Sequence, residues 1–185
     1  MPTPVGHAIG GLAAVLLTHA GSRRPYLLSP GLLLGGAVVA ILPDLDILIG
    51  SHRTYTHSVG AIVIFGLVSW GILRRGSSNA GIGTAAMMAA YASHLFLDWL
   101  GKDTSRPPGL MMLWPFSSTY FLSGFDIFGE VSRRYWRLDE FIFGNLRALG
   151  WEMLVLMPVL IMGWVVWSRR TVQSPESSVQ SPGFR

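Results

Sequence analysis

The sequence predicts an all-α protein, a polytopic membrane bundle of about five transmembrane helices with an interfacial region of helices and loops. Half of the 185 residues are hydrophobic and 13% are charged, whereas small soluble domains average about a quarter charged residues. Five apolar stretches of roughly 16–21 residues divide the chain, close to the length that crosses the hydrocarbon core. Glycine and alanine recur within them, which suits close packing between membrane helices.

The composition also excludes several classes of protein. The chain has no cysteine, which rules out a disulfide scaffold, a thiolate zinc finger, an iron–sulfur cluster and a cysteine nucleophile. The 14 lysines and arginines are too few for a nucleic-acid footprint, and the arginines mostly stand in pairs beside apolar runs. Such pairs are typical of membrane topology signals, so no nucleic-acid partner is expected.

The five apolar stretches are predicted as helices in chain order. They cover residues 5–20, 26–42, 57–73, 80–100 and 151–167. Arginine pairs follow the first, third and fifth, Pro43-Asp44 ends the second, and Gly101-Lys102-Asp103 ends the fourth. No lysine or arginine precedes the first stretch, so we expect it to remain as a helix and not to be a removable signal peptide.

The remaining segments differ in kind from these stretches. Residues 101–150 form an insertion in which aromatic residues alternate with arginines, and this pattern predicts either amphipathic helices at the membrane interface or a cap with a small aromatic core. Residues 168–185 are rich in serine, proline and glutamine and are predicted to be a disordered tail. Residues 1–167 are then a single membrane-embedded domain.

The arginine pairs predict the topology. With five crossings, the ends of the first, third and fifth helices lie on one side, which the positive-inside rule assigns to the cytoplasm. The C-terminus is then cytoplasmic, and residues 43–56 and 101–150 face outward. The lysine and arginines of the long insertion count against this orientation, because they make the numbers of positively charged residues on the two sides of the membrane nearly equal.

Whatever the orientation, seven ionisable side chains are expected at the same face of the membrane. They lie at the start of the first helix, in the connection between the second and third, and at the end of the fourth: His7, Asp44, Asp46, His52, His57, His94 and Asp98. Four of the five histidines belong to this set, and the fifth, His19, lies at the opposite end. Ionisable groups in a membrane domain are costly, so their convergence predicts a functional site.

Imidazole and carboxylate groups without thiolates favour zinc, manganese or iron. His94 and Asp98 are four residues apart in a helix and therefore share a face, as two ligands of one ion or as an ordinary helix contact. Asp44 and Asp46 can both face the site if the backbone there is extended; otherwise one caps a helix and the other is solvated. An isolated His7 on an apolar helix is more often a packing residue than a ligand.

These candidates exceed the needs of one tetrahedral site, so one or two divalent ions are expected. Two ions that share a carboxylate are common in phosphoester hydrolysis, in which the metal activates a water and polarises the phosphoryl oxygen. Arg53 can hold a phosphate oxygen by paired hydrogen bonds, or it can be a surface arginine that reaches the head groups. Asp46, His52 and Arg53 are the candidates for catalytic roles.

The ordered motifs of the first 120 residues resemble those of the YdjM-type inner-membrane proteins, a family of membrane-bound metal-dependent hydrolases. They are Leu-Pro-Asp-Leu-Asp, His-Arg-x-x-Thr-His-Ser, Ser-His-Leu-x-Leu-Asp and Leu-Trp-Pro-Phe-Ser, preceded by an N-terminal histidine. Where the family usually has a glycine after the arginine, this chain has Thr54, which loosens the expected turn without removing a ligand. The resemblance implies a multi-pass protein of the inner membrane.

The motifs are also distantly similar to those of zinc-dependent phospholipases C. That likeness implies that His7, Asp44 or Asp46, His57, His94 and Asp98 are metal ligands, with Asp98 as the bridge between two zinc ions. No histidine follows His94, so a complete three-zinc site is not expected.

The function expected from the sequence is metal-dependent hydrolysis of a phosphoester in a lipid or lipid-linked substrate, because a site at head-group depth meets amphiphiles without extracting them. One alternative is a transporter or metal permease, which would need polar residues near the midplane and broken helices. Another is a non-catalytic membrane organiser that holds a structural metal and binds a partner through residues 101–150.

Overall fold

The fold is a bundle of five helices in a computed structural model that describes residues 1–50, 53–76, 79–104, 106–132 and 135–174. The helices are α1 (Pro4–Ala20), α2 (Pro30–Val39), α3 (Val59–Leu73), α4 (Ala80–Trp99) and α5 (Leu138–Val172). Short 3₁₀ segments lie at Pro25–Leu27, Leu42–Ile49 and Tyr55–His57. The described residues contain no β-strand, only two isolated bridges. The predicted all-α membrane bundle is confirmed.

Among the described residues, three helices are long and apolar enough to cross a membrane. They correspond to Pro30–Leu48, which includes the 3₁₀ segment after α2, to α4, and to α5. The helices α1 and α3 are apolar but shorter, with 17 and 15 residues. Short helices can cross when they are tilted little or when neighbouring helices bury them.

Helix α1 lies at the centre of the bundle and packs against α2, α4 and α5. It begins where Thr3 caps it, because the hydroxyl of Thr3 accepts a hydrogen bond from the Gly6 N–H at 3.2 Å. Its two buried faces join two apolar clusters, one around Ile9 and Leu97 and the other around Val15 and Met87. The central position of α1 places His7 among the helix ends that carry the other candidate ligands.

Helix α2 approaches α1 closely because two glycines face each other there. A Cβ atom at Gly36 would overlap the side chain of Val15, and one at Gly11 would lie 2.5 Å from the Cβ of Ala40. Helix α2 ends at Val39, and the chain continues as the 3₁₀ segment Leu42–Ile49, in which Pro43 lies near the start. The predicted second helix, residues 26–42, is therefore shorter in the structure, and Asp44 lies in the 3₁₀ segment that follows it.

Of the two structures that the sequence left open for the insertion, its described residues before α5 form the cap. They contain no helix, and among them Leu110 and Phe128 are fully buried and Leu110 bridges to Phe121. The N–H of Lys102 donates to the Phe128 carbonyl at 2.8 Å, which ties the cap to the end of α4. Residues 138–150 are helical, but they are the first turns of α5 and not a separate interfacial helix.

Helix α5 differs from its prediction at both ends. It has 35 residues and is about 52 Å long, far more than the hydrocarbon core requires. It continues to Val172, so residues 168–172 are helical although the sequence predicted a disordered tail from Ser168. Residues 175–185 of that predicted tail lie outside the described residues.

Candidate metal centre

Four side chains meet at one end of the bundle with the geometry of a metal site. One nitrogen or oxygen each from Asp44, His57, His94 and Asp98 lies within 4.8 Å of the others. The His57 and His94 Nε2 atoms are 3.0 Å apart, and they lie 3.5 and 3.3 Å from Asp98 Oδ2 and 3.7 and 3.8 Å from Asp44 Oδ1. Ligand atoms about 2.0–2.1 Å from a tetrahedral zinc ion lie roughly 3.3–3.4 Å apart. We call these four residues the quartet.

Three separate elements supply the quartet. His94 and Asp98 project from one face of α4 near its end, as their spacing predicted. Asp44 comes from the 3₁₀ segment after α2, and His57 ends the 3₁₀ turn Tyr55–His57 that leads into α3. Ser58 then caps α3, since its hydroxyl accepts a hydrogen bond from the Ala61 N–H.

The ring of His94 is fixed by the backbone of α2. Its Nδ1 lies 2.7 Å from the carbonyl oxygen of Ala40, and a carbonyl can only accept, so Nδ1 carries the hydrogen. The lone pair of a neutral His94 is then on Nε2, which points into the quartet. Metal-binding histidines are commonly oriented by such a bond from the second ring nitrogen.

Thr56 and Asp46 orient the ring of His57 in a similar way. The Thr56 hydroxyl donates to Asp46 Oδ2 at 2.6 Å, and its oxygen lies 3.0 Å from His57 Nδ1, which also lies 3.2 Å from Asp46 Oδ2. The Thr56 carbonyl accepts a hydrogen bond from the Tyr91 hydroxyl of α4 at 2.8 Å. Both histidines of the quartet therefore turn Nε2 toward the same point.

Without a metal, a proton occupies the space between the two histidines. Burial lowers the pKa of His57, but its hydrogen bonds to Asp44 and Asp46 and the charge of Asp98 outweigh burial and raise this pKa to about 9. Since Nε2 of neutral His94 can only accept, His57 Nε2–H is the donor across the 3.0 Å contact. A divalent ion would replace this proton.

Asp98 supports the interpretation as a metal site. Its side chain is fully buried, and neither carboxylate oxygen accepts a hydrogen bond from any described residue. Its polar neighbours are histidine rings: His7 Nε2 lies 3.2 Å from Oδ1, while His57 and His94 lie beside Oδ2. An unsolvated carboxylate is costly unless a charge compensates it, so the residues present fit a bound cation.

The structure separates the remaining candidates from the quartet. His7 stacks on His94 with ring centroids 3.9 Å apart and contacts the far oxygen of Asp98. Asp46 is not in the quartet, because it lies beside Nδ1 of His57 and accepts a hydrogen bond from the Arg53 N–H at 3.0 Å. The Arg53 guanidinium forms an ion pair with Asp103 of the cap. His52 lies outside the described residues.

A cleft of about 840 Å³ opens next to the quartet. Asp44 lines it and is the only quartet member with a substantially exposed side chain, at 21%. Arg53, Lys102 and Asp103 also line it, as do the apolar side chains of Ile47 and Leu48. The cleft can therefore admit a ligand with a charged head and an apolar body; we call it the head cleft.

Several residues around the site were not predicted as site residues from the sequence. Asp103 was noted only as a helix-end residue, yet it holds both Arg53 and, at 2.7 Å, the Gly109 N–H. Glu152 is 1% exposed in the middle of α5 and accepts hydrogen bonds from the backbone N–H and the hydroxyl of Thr3 at 2.8 and 2.5 Å. The position of Glu152 inside an apolar run could have indicated this role, because an acid there is costly unless it has a partner. Glu152 anchors the end of α1 that carries His7.

Arg53 also has an unusual backbone. Its φ is +68°, a left-handed conformation that favours glycine. The strain falls on Arg53 itself and not on Thr54, where the sequence suggested a loosened turn. The N–H of Arg53 donates to Asp46, and its carbonyl accepts from the Met111 N–H at 3.2 Å, so both sides of the peptide are held.

The chain is similar to known inner membrane proteins. The chain is 28% identical to the inner membrane protein YbcI of Escherichia coli (strain K12), over 92% of this chain and all of that protein. No solved structure matches the chain, and the likeness to zinc-dependent phospholipases C stays a prediction. The family model of the YdjM inner membrane protein matches residues 1–172. A model that covers nearly the whole chain shows its family: this protein belongs to the YdjM inner membrane proteins.

Proposed function

We propose that this inner membrane protein is a metal-dependent hydrolase that cleaves a phosphoester in a lipid or lipid-linked substrate. The observation that carries the proposal is the quartet beside the head cleft, with two histidines oriented by second hydrogen bonds. Asp44, His57, His94 and Asp98 would hold the ion, for which zinc is the first choice and manganese or iron the others. When bound, such an ion lowers the pKa of a water and polarises a phosphoryl oxygen.

The residues around the quartet would bind and orient the substrate. Arg53 lines the head cleft and presents a guanidinium, which suits paired hydrogen bonds to phosphate oxygens. Asp103 fixes the direction of that guanidinium through their ion pair. Asp46 would act as a positioning residue through His57, and a catalytic role for His52 remains part of the proposal.

The membrane setting supports an amphiphilic substrate. The head cleft is lined by charged groups and by the apolar Ile47 and Leu48, and the side chain of Leu48 is 82% exposed. A lipid would place its phosphate near Asp44 while its chains stay in the bilayer. We further propose the outer face of the membrane for the site, on the strength of the arginine pairs that follow α1 and α3 and lie in the last turns of α5.

Purified protein in detergent provides the test. Zinc or manganese should bind, and the loaded protein should hydrolyse a chromogenic phosphodiester or a phospholipid in mixed micelles. Asp98→Asn should abolish turnover because it removes a ligand charge, whereas Asp126→Asn, an exposed residue of the cap, should leave it unchanged. If the protein bound neither metal, and Asp98→Asn hydrolysed as fast as the wild type, the proposal would fail.

One observation favours a second candidate, a non-catalytic membrane organiser with a structural metal. The quartet already offers four protein ligands, which is the count of closed structural zinc sites, whereas catalytic sites usually have three and an open position. In the hydrolase, Asp44 would be the weaker ligand, since its Oδ1 lies 3.7 and 3.8 Å from the two histidine Nε2 atoms, whereas Asp98 Oδ2 lies 3.5 and 3.3 Å from them.

Cobalt substitution separates the two candidates. In the hydrolase, inorganic phosphate should change the visible spectrum of the cobalt protein, because an exchangeable position is open to it. In the structural protein the spectrum should not respond to phosphate, while removal of the metal should lower the thermal stability of the bundle.

A further inference from the structure

A second cleft lies deeper in the bundle than the head cleft. It has a volume of about 350 Å³ and is lined by six side chains: Leu12, Leu16, Leu33, Leu160, Ile161 and Trp164. All of its exposed lining is apolar. We call it the chain groove.

The two clefts are bounded by the same three parts of the fold. Pro4 of α1, Ile41 after α2 and Asn145 of α5 line the head cleft. Further along the same elements, Leu12 and Leu16 of α1, Leu33 of α2 and Leu160 of α5 line the chain groove. Since α2 and α5 both pack against α1, both clefts lie along α1, with α2 or the segment after it on one side and α5 on the other.

Helix geometry gives the separation of the two clefts. Pro4 and Leu12 are eight residues apart on α1, and Asn145 and Leu160 are fifteen residues apart on α5. These intervals correspond to about 12 Å and about 22 Å of helix. The chain groove therefore begins about 12–22 Å deeper than the head cleft, toward the interior of the bilayer, at the depth where a lipid with its head group at Asp44 has its hydrocarbon chain.

The linings of the two clefts complement the two parts of one molecule. The head cleft is lined by the cations of Arg53 and Lys102 and by three acids, Asp44, Asp103 and Glu130, and Asp103 is already paired with Arg53. A phosphate there would be bound by Lys102 and by the ion proposed for the quartet, which supplies the positive charge that these acids offset. The chain groove offers methyl, methylene and indole surface, which suits a hydrocarbon chain. A free phosphate would use the first and not the second.

We propose that the chain groove binds the hydrocarbon chain of a phosphate-bearing lipid whose head group occupies the head cleft. This rests on the proposed function for the assignment of the head group. It makes Ile161 and Leu33 determinants of chain specificity, since each lies on one wall of the groove. The lipid in the chain groove is held through its head group in the head cleft, which distinguishes it from an annular lipid.

Photolabelling of the full chain in phosphatidylcholine vesicles tests this without turnover. The probe is phosphatidic acid with a diazirine near the end of one acyl chain, and labelled peptides are identified by mass spectrometry. We expect labels on the peptides that carry Leu12–Leu16 and Leu160–Trp164. An excess of unlabelled phosphatidic acid should suppress them, while additional phosphatidylcholine should not.

Ile161→Trp is the filling variant, and Ile64→Trp on α3 is its control. The two isoleucines are 56% and 55% exposed, but α3 does not line the groove. Each methylene that loses its buried site weakens binding about fourfold, so Ile161→Trp should reduce groove labelling by at least about tenfold and Ile64→Trp should not. Leu33→Trp, on the opposite wall, is a second filling variant in case the first folds poorly.

The outcomes distinguish this inference from the proposed function. Equal labelling of the groove and of α3, or suppression by phosphatidylcholine as strong as by phosphatidic acid, would show annular lipid and overturn the inference even if hydrolysis is observed. Selective groove labelling by a protein that binds no metal and hydrolyses nothing would uphold the lipid site and overturn the hydrolase.

Discussion

Helix α1 carries two buried histidines near its two ends, and they have opposite surroundings. His7 and His19 are each 1% exposed. His7 contacts Asp98 at 3.2 Å and stacks on His94, whereas His19 hydrogen-bonds the Val15 carbonyl of its own helix at 3.1 Å. The Nε2 of His19 has no hydrogen-bond partner among the described residues.

The difference shows that a buried histidine on an apolar helix is not by itself a site. At the first end, the segment after α2, the turn before α3 and the end of α4 all converge and deliver carboxylates. At the other end, α1 meets the last turns of α5, where Trp167 donates to the Pro25 carbonyl at 2.8 Å. We call these the acidic end and the arginine end of the bundle.

The largest effect is expected for the histidines themselves. His94→Gln removes a ligand of the quartet and should lower the affinity for zinc by more than about 100-fold, since loss of outer partners alone costs 10–100-fold. His19→Gln should keep the wild-type affinity although it is equally buried. Metal content after gel filtration and competition with a chelator of known affinity measure both. Equal loss in the two variants would mean that the histidines act through folding and not as ligands.

Asp46→Asn tests the partner that orients a ligand. It removes the charge beside His57 Nδ1 and should weaken metal binding about 10–100-fold. Asp139→Asn is the control, because that side chain is exposed in the first turn of α5. The same chelator competition measures both, and an Asp46→Asn protein with unchanged affinity would limit the site to the quartet.

The affinity for metal should depend on pH at the acidic end. The pKa of His57 is about 9 in the metal-free protein, so below pH 9 binding of the ion displaces one proton. The apparent affinity should therefore rise about tenfold per pH unit from pH 7 toward 9 and then level off. A titration with zinc at several pH values measures this slope, and a flat profile would contradict it.

The raised pKa of His57 also affects the stability of the metal-free protein, which should fall as the pH rises, whereas the affinity for metal should increase. A pKa above the ordinary value for histidine means that the folded state holds the proton more tightly than the unfolded chain does. This contribution to stability is complete below about pH 6.5 and is lost as the pH rises through 9. Thermal unfolding of the metal-free protein in detergent should show a lower midpoint at pH 9.5 than at pH 6, beyond any trend seen with His57→Gln.

The smallest effect is expected for the stability of two variants, each at a threonine that is 8% exposed. Thr3→Val removes the hydroxyl that donates to Glu152 at 2.5 Å and accepts from the Gly6 N–H. It should cost about 1–3 kcal/mol, because the buried carboxylate loses a donor and α1 loses its cap. Thr84→Val in α4 should be neutral or stabilising, since its hydroxyl has no hydrogen-bond partner among the described residues. Thermal unfolding of both variants in detergent measures the difference, and equal midpoints would show that the Thr3 contact contributes nothing.

Many of the candidate ligands could be predicted from the sequence, because their placement depends on local spacing along the chain. The four-residue interval of His94 and Asp98 places both on one face of any helix. The apolar lengths and arginine pairs predicted antiparallel neighbours, which bring helix ends together at the same face of the membrane. Local rules of this kind do not require knowledge of the packing.

The different positions of Asp44, in the quartet, and Asp46, beside His57 Nδ1, could not be predicted in this way. They are two residues apart, and their directions depend on whether that stretch is extended or 3₁₀. The observed 3₁₀ segment sends Asp44 toward the two Nε2 atoms and Asp46 to the far side of His57. The close approach of α1 and α2 at Gly11 and Gly36, which brings the Ala40 carbonyl to His94, is likewise a product of packing.

The sequence by itself determined the membrane class, the helices and the residues available as ligands, because hydrophobic length and helical periodicity act over a few turns. The tertiary structure decided which nitrogens face the same point, and it joined Thr3 to Glu152 across 149 positions. Such contacts depend on distances between elements that are remote in the chain. The orientation of a ring follows from the hydrogen bond at its second nitrogen, and the packing of the neighbouring element supplies the partner for that bond.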